Sequence, residues 1–204
     1  GSAASPKYAE PTLTPQAHLP LVANGYRPPW PPKPVSPGWL EYVNYYRLMA
    51  RLPSVTENED WSYGDWLHAR YIVKNDIMQH SEDPSNPWYT PEGHAAAEAS
   101  NLAAHRTVDA LDEWAIDAWM QAPFHALGIL DPQLWEVGYG SYREAVGDYE
   151  MGAALDVIRG LDALPASTSF PIFWPADGAT VPLAEHWGEH PDPLTSCPGY
   201  SRPA

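Results

Sequence analysis

The 204-residue chain contains a single cysteine, Cys197, so it cannot form an internal disulfide. It is also poor in basic residues, because Lys+Arg total 11 against 26 Asp+Glu, giving a formal net charge of −15. This excess of negative charge repels phosphate backbones, so we expect no nucleic-acid partner. No stretch approaches the roughly 20 apolar residues that a membrane-spanning helix requires, so a transmembrane segment is not expected either.

Proline, by contrast, is abundant and unevenly placed. Of the 24 prolines, ten lie in residues 1–37 and eight in residues 165–204. We therefore predict a domain over residues 38–164 between two Pro-rich arms, the first of which starts with Gly-Ser-Ala, as a cloning remnant does. The second arm is rich in aromatic and aliphatic residues. We expect it either to pack on the core or to lead to a further domain.

Apolar residues recur at steps of three and four over much of the predicted domain, which is typical of amphipathic helices. Serine and proline start signals and proline stop signals set the expected ends. The predicted helices run from Ser36-Pro37 to about Arg51, from Ser62 to about His80, over about Val108–Gln121, and over Phe124–Leu130. Residues 81–101, which contain three prolines, are predicted to form a loop.

Two strands are predicted after the helices. They are Trp135–Tyr142 and Glu150–Arg159, and in the second strand every other residue from Met151 is apolar. Shorter extended pieces are predicted at Phe170–Trp174 and Thr180–Leu183. Helices followed by antiparallel strands indicate an α+β fold built in layers.

Four segments, in order along the chain, resemble motifs of the CAP superfamily. This superfamily comprises the cysteine-rich secretory proteins, antigen 5 and the pathogenesis-related class 1 proteins, and it includes many bacterial members with an SCP-like domain. The segments are Val43-Asn44-Tyr45-Tyr46-Arg47, Asp65–His80, Ile116–Pro132 and Glu136–Gly140. The third is similar to the bacterial form of the motif. The resemblance implies an α+β fold, namely a three-layer α-β-α sandwich with a central antiparallel sheet, in an extracellular bacterial protein.

The same resemblance implies a surface cleft with two histidines and two glutamates, which bind a divalent metal in several members. His80 and His125 match the two histidines. Ser100 stands at the position of the first glutamate if Asn101 is aligned, and no carboxylate directly follows Trp119 at the second. Glu98 is the nearest substitute, with Glu92 and His94 as further candidates for a third ligand.

Two imidazoles and one carboxylate would suit zinc. We therefore predict a weak zinc site formed by His80, His125 and Glu98. Further residues are expected to line the cleft, namely Trp88, Tyr89, His94, Ser100 and Asn101.

Other candidate sites carry weaker signals. Cys197 lies in a Ser-Cys-Pro-Gly tail, and we interpret it as an incidental thiol. The run Glu185-His186-Trp187-Gly188-Glu189-His190 looks like a metal-binding segment, but it lacks the helical spacing of a His-Glu-x-x-His motif. We interpret it as a surface turn.

Functions of different classes remain open. The first is an exported, monomeric binding module whose ligand is an unknown small molecule, lipid, peptide or glycan. The alternative is a metal-dependent, peptidase-like hydrolase, in which the same histidines hold the metal and Glu98 acts as ligand or base. A spacer domain within a longer cell-surface chain is a third. The missing glutamates favour the binding module, and the sequence leaves enzymatic activity undecided.

Overall fold

The computed structural model describes residues 38–183, 188–193 and 195–196. The predicted N-terminal arm, Cys197 and the Glu185–Trp187 part of the histidine-containing run lie outside the described residues. The helices are α1 (Trp39–Met49), α2 (Glu59–Asn75), α3 (Pro91–Ala99), α4 (Asp112–Gln121) and α5 (Pro123–Ile129). The strands are β1 (Thr56–Glu57), β2 (Ser100–His105), β3 (Glu136–Val137), β4 (Tyr139–Arg143) and β5 (Met151–Asp156). None of the described helices is both long and apolar enough to cross a membrane.

The main sheet has three antiparallel strands in the order β2-β5-β4. Its register pairs Ala103 of β2 and Ser141 of β4 with Ala153 of β5. β1 and β3 form a separate, short parallel pair. All six residues of β5 are buried, so the central strand is covered on both faces.

Helices pack against both faces of this sheet. Side chains alternate between the faces of a strand. Ala153 and Leu155 of β5 therefore join the larger core with α1, α4 and α5, whereas Ala154 packs with Leu102 and with Ile72 of α2. This arrangement confirms the predicted α+β class with a central antiparallel sheet.

Helix α2 lies unusually close to the sheet because two sheet positions lack a side chain. A Cβ atom on Gly140 would lie 2.0 Å from the backbone nitrogen of Trp66, and one on Gly152 would lie 2.6 Å from the backbone oxygen of Ala69. Neither distance is possible for real atoms, so glycine sets the separation between helix and sheet at both positions.

The Asn44 and Arg47 side chains of the first motif hold the backbone together. Asn44 accepts a hydrogen bond from the Val55 amide at 2.8 Å and donates one to the Val55 carbonyl at 3.0 Å. The fully buried Arg47 guanidinium donates to four carbonyl oxygens, those of Pro53, Ile129, Asp131 and Leu134. Burial lowers the pKa of Arg47 to about 10. Arg47 thus joins α1 to the end of α5 and to the segment before β3.

The predicted ends of the second helix are wrong. It begins at Glu59 rather than Ser62, because Asn58 caps it by accepting a hydrogen bond from the Trp61 amide. It ends at Asn75, since Asp76 adopts a left-handed conformation with φ 53°. His80 therefore lies in the following loop, outside any helix.

The prediction of a loop over residues 81–101 is also wrong, because this segment contains α3 and the start of β2. Thr90 caps α3 by accepting a hydrogen bond from the Gly93 amide at 2.9 Å, and Pro91 occupies its first turn. Helix α4 begins at Asp112 instead of Val108. No strand forms at Phe170–Trp174 or at Thr180–Leu183.

The described part of the C-terminal extension contacts the domain core. The Ala176 amide donates to the Met49 carbonyl at 2.9 Å, and the Trp174 ring lies 6.2 Å from the Tyr46 ring, centroid to centroid. Val181 and Leu183 also pack against the larger core. The predicted domain limits at residues 38, 164 and 165 stay predictions.

Candidate functional site

His80 and His125 border the same surface pocket, although they are far apart in the sequence. His80 follows α2 in a loop, and His125 lies in the first turn of α5. The pocket is shallow, with a volume of about 210 Å³. Its lining consists of His80, Glu98, Ser100, Asn101, Phe124, His125, Val157, Ile158 and His190. The fold thus places His80, His125, Glu98, Ser100 and Asn101 around one depression.

A second pocket of about 430 Å³ adjoins the first and shares its three histidines. Most of its wall is apolar and comes from β2, from α4 and from the segment after α2. These wall residues include Met78, Leu102, Trp114, Trp119 and Ala122. Trp119 donates its indole hydrogen to the Leu102 carbonyl at 2.9 Å, which fixes the position of its ring. We refer to the two pockets together as the histidine cleft.

Each of the two predicted histidines is oriented through its Nδ1 atom. His80 Nδ1 lies 2.9 Å from the Ala97 carbonyl oxygen, and His125 Nδ1 lies 2.8 Å from Glu189 Oε2. A carbonyl and a carboxylate only accept hydrogen bonds, so both Nδ1 atoms carry the hydrogen. In a neutral ring Nε2 then holds a lone pair, and neither Nε2 has a hydrogen-bond partner among the described residues.

The loop that carries His80 is anchored by a buried pair. His68 Nδ1 lies 2.9 Å from Glu82 Oε1, and both side chains are inaccessible to solvent. His68 Nε2 lies 3.1 Å from the Gln79 carbonyl oxygen, next to His80 in the chain. The second Glu82 oxygen accepts a hydrogen bond from the Thr90 amide. This network ties the loop to α2 and to the start of α3.

Ser100 and Asn101 use their side chains to hold the cleft together. Ser100 donates to Asp65 Oδ1 at 2.6 Å, and Asn101 donates to the His125 carbonyl at 3.0 Å. Asp65 is fully buried, and burial raises its pKa to about 8. Its Oδ2 atom has no hydrogen-bond partner among the described residues. A carboxyl group therefore lies directly behind the serine, in the interior.

The remaining predicted cleft residues are placed differently. Glu98 borders the small pocket, but its side chain is 65 % exposed, and its Oε1 lies 3.6 Å from His94 Nε2. His94 Nδ1 accepts a hydrogen bond from the Glu82 amide. The Trp88 ring covers the Arg70 and Lys74 cations, and the Tyr89 ring lies against His94. Trp88, Tyr89 and His94 border neither pocket of the histidine cleft.

The donor atoms present do not form a complete metal centre. Within residues 38–183, 188–193 and 195–196, no group of three or more His, Cys, Asp or Glu side chains is placed to hold a metal ion. The orientation of His80 and His125 through Nδ1 is the one that metal-binding histidines use. Two imidazoles alone nevertheless fall short of the three protein ligands of a catalytic zinc site. Zinc binding stays a prediction.

Sequence reasoning missed Glu189 and His190, because it interpreted their segment as a surface turn. Glu189 accepts hydrogen bonds from the Phe124 amide at 3.0 Å, from the His125 amide at 3.3 Å and from the His125 ring. The chain between His125 and Glu189 is too long for any local sequence pattern to reveal this contact. One indirect signal exists, since the N-cap of α5 is Ala122, which has no side-chain acceptor.

Comparisons with known proteins point to one family. No curated protein matches the chain. An extracellular protein containing a SCP domain from Bacillus anthracis is 16 % identical, with a TM-score of 0.46, over 59 % of this chain and 39 % of that one. An outer surface protein from Borrelia burgdorferi is 13 % identical, with a TM-score of 0.43, over 57 % and 86 % of the two chains. The CAP family model, described as the Cysteine-rich secretory protein family, matches residues 40–156, more than half of the chain. The chain therefore belongs to the CAP family.

Proposed function

We propose that this CAP domain is a binding module whose ligand enters the histidine cleft. The observation that carries the proposal is the common position of His80 and His125, which border one pocket with both rings held through Nδ1. The Nε2 lone pairs are then available to accept hydrogen bonds from a ligand. A ligand of this cleft therefore offers a hydroxyl or amide hydrogen.

The apolar pocket next to the histidines defines the rest of the ligand. Its volume of about 430 Å³ lies within the usual range for small-molecule sites, roughly 300–1,000 Å³. Trp114, which is half-buried, offers ring surface to an acyl chain, a sugar ring or an apolar side chain, whereas Trp119 is buried behind the wall. An amphipathic ligand, polar at the histidines and apolar at Met78 and Trp114, fits both pockets.

A metal-dependent hydrolase has less support from the same geometry. Such an enzyme needs a third protein ligand and a positioned base. Glu98, the predicted candidate, is mostly exposed and lies near His94, without a hydrogen bond to His80 or His125 among the described residues. We therefore assign no catalytic step to this chain.

The proposed setting of the protein follows from its family. We propose that it acts outside the cell, as cysteine-rich secretory proteins do, and that it is a monomer. The bacterial origin suggested by the Ile116–Pro132 motif stays a prediction.

The proposal can be tested with octyl glucoside, which joins hydroxyl donors to an apolar chain, and separately with zinc ions. Amide chemical shifts are followed by NMR during each titration. Octyl glucoside is expected to shift the amides around His80, Leu102 and His125. His80→Ala and His125→Ala are each expected to weaken its binding at least about tenfold, the loss of a hydrogen bond worth about 1.4 kcal/mol.

Zinc gives the complementary measurement. We expect weak binding that fades at acidic pH, because protons compete with the metal for the imidazole nitrogens. For the zinc titration, His105→Ala removes a histidine that borders neither pocket and serves as the control. Because the His105 ring packs 4.5 Å from the Trp114 ring, the control for octyl glucoside is instead Asp148→Asn, which changes an exposed carboxylate. The proposal fails if octyl glucoside leaves the cleft amides unmoved, or if its binding survives unchanged in both cleft variants.

A further inference from the structure

The C-terminal extension places one side chain deep in the histidine cleft. Gly188, Glu189 and His190 belong to no helix or strand, and His190 is exposed. The Glu189 side chain is nevertheless only 1 % exposed. Its carboxylate accepts hydrogen bonds from two backbone amides and from the His125 ring, the last at 2.8 Å.

The reason for this contact lies in α5. The first amides of a helix have no partner within the helix, and a side chain at the N-cap usually accepts from them. Ala122 has no such side chain, so the amides of Phe124 and His125 depend on Glu189. A buried carboxylate is costly unless donors surround it, and here three donors converge on it.

Gly188, Glu189 and His190 also form part of the wall of the cleft. All three border the larger pocket, and His190 borders the smaller one as well. The segment therefore adjoins both the apolar wall of the larger pocket and His125. A ligand that occupies both pockets therefore contacts this segment.

We propose that residues 188–190 form a strap that narrows the histidine cleft, with Glu189 as its latch, so that full entry of a ligand requires release of the latch from His125. This regulation rests on the proposed binding function of the same cleft. A strap that is closed most of the time raises the apparent Kd by the inverse of the open fraction. Weakening the latch removes that penalty without adding any contact to the ligand.

The latch itself is tested by hydrogen exchange on the full chain, read residue by residue by NMR. Glu189→Gln and Glu189→Ala are expected to raise the exchange rates of the Phe124 and His125 amides at least tenfold. The Leu130 amide, which donates to Ala126 within the same helix, is expected to keep its rate. Asp148→Asn removes an exposed carboxylate elsewhere and is the matched control. Unchanged rates at Phe124 and His125 in both Glu189 variants would overturn the latch.

The closing role is tested by octyl glucoside binding to the same variants. Glu189→Ala is expected to lower the apparent Kd at least threefold relative to the native chain and to Asp148→Asn. If exchange rises at Phe124 and His125 but the Kd stays equal or increases, residues 188–190 are a fixed wall and the gating proposal is wrong. If Glu189→Ala opens the latch and octyl glucoside still does not bind, the proposed function fails separately from the latch.

Discussion

Ser100 donates a hydrogen bond of 2.6 Å to Asp65, which joins the edge of the histidine cleft to a carboxyl group buried under the sheet. The serine lies at the start of β2 and the aspartate in the middle of α2. Ser100 thus directs its hydroxyl hydrogen into the interior and away from the cleft. If Asn101 is aligned with the family motif, the position that the resemblance assigns to a glutamate is occupied here by a serine in contact with an interior acid.

Asp65 should make the stability of the fold depend on pH. Burial raises its pKa from 3.8 to about 8, so between these values the folded state binds a proton that the unfolded state has released. The contribution of Asp65 to stability is therefore lost as pH rises through this window, by up to about 1.4 kcal/mol per pH unit. Asp65→Asn removes this pH-dependent contribution, because asparagine does not titrate. In urea unfolding from pH 4.5 to 8, the free energy of unfolding of the variant should rise relative to that of the native chain as pH increases.

A stability difference between native chain and Asp65→Asn that stays constant over that pH range would show that Asp65 is charged in the fold. Asp148→Asn, which changes an exposed carboxylate, is expected to give a constant difference and serves as the reference.

Arg47 should be essential for stability. Among the described residues, Arg47→Met leaves the carbonyl oxygens of Pro53, Ile129 and Leu134 without a donor, whereas the Asp131 carbonyl still accepts from the Leu134 amide. Each unsatisfied buried group costs about 1–3 kcal/mol, so we expect a loss of at least about 3 kcal/mol. At roughly 2–4 °C per kcal/mol, Tm should fall by about 6 °C or more. Arg106→Met alters an exposed arginine, and a similar fall in that variant would contradict the assignment.

The C-terminal extension should stabilise the core through Trp174 and not through its neighbour. Trp174 packs against Tyr46 and the larger core, whereas Phe173 is 65 % exposed. Trp174→Ala removes buried apolar surface, so we expect the free energy of unfolding to fall by about 2 kcal/mol and Tm to fall by roughly 4–8 °C. Phe173→Ala should change Tm by less than about 2 °C. Equal effects of the two substitutions in thermal melts would refute this packing role.

Gly140 should tolerate no side chain. In Gly140→Ala the new methyl group would overlap the backbone of α2 at Trp66, so the helix must move away from the sheet. We expect a loss of several kcal/mol, or no folded protein at all. Gly38→Ala places a methyl group where no atom lies within 4 Å, and it should fold with near-native Tm by circular dichroism. A native-like melt of Gly140→Ala would contradict the close approach.

The sequence predicted the helices best where periodicity and stop signals agree. The short helix predicted over Phe124–Leu130 corresponds to α5, since Pro123 opens it and Asp131-Pro132 follow its end. Apolar spacing continued past Asn75 to Ile77, however, and concealed the left-handed turn at Asp76 that ends α2. The prolines of residues 81–101 suggested a loop, although Thr90 and Pro91 in fact start a helix.

Local sequence patterns could not predict all of the sheet or all of the candidate site. β2 was not predicted, because it is covered by helices on both faces and its apolar residues do not alternate with polar ones. His80 and His125 could be paired only through the family resemblance, because no local spacing connects them. Glu189 lies outside the segment that matches the family, and only the folded chain places it at His125.

Because Glu189 caps α5, this helix is synthesised well before the residue that caps it. The two contact partners are separated by 64 residues, from His125 to Glu189. At about 5–20 residues per second, a ribosome needs roughly 3–13 s to add that length of chain. The last strand of the main sheet ends at Asp156, partway through this interval. For the remaining 33 residues up to Glu189, the nascent domain contains both histidines and the whole main sheet but not the Glu189 cap. If the strap acts as proposed, newly made chains pass through a period in which the cleft is unrestricted, before Glu189 contacts α5.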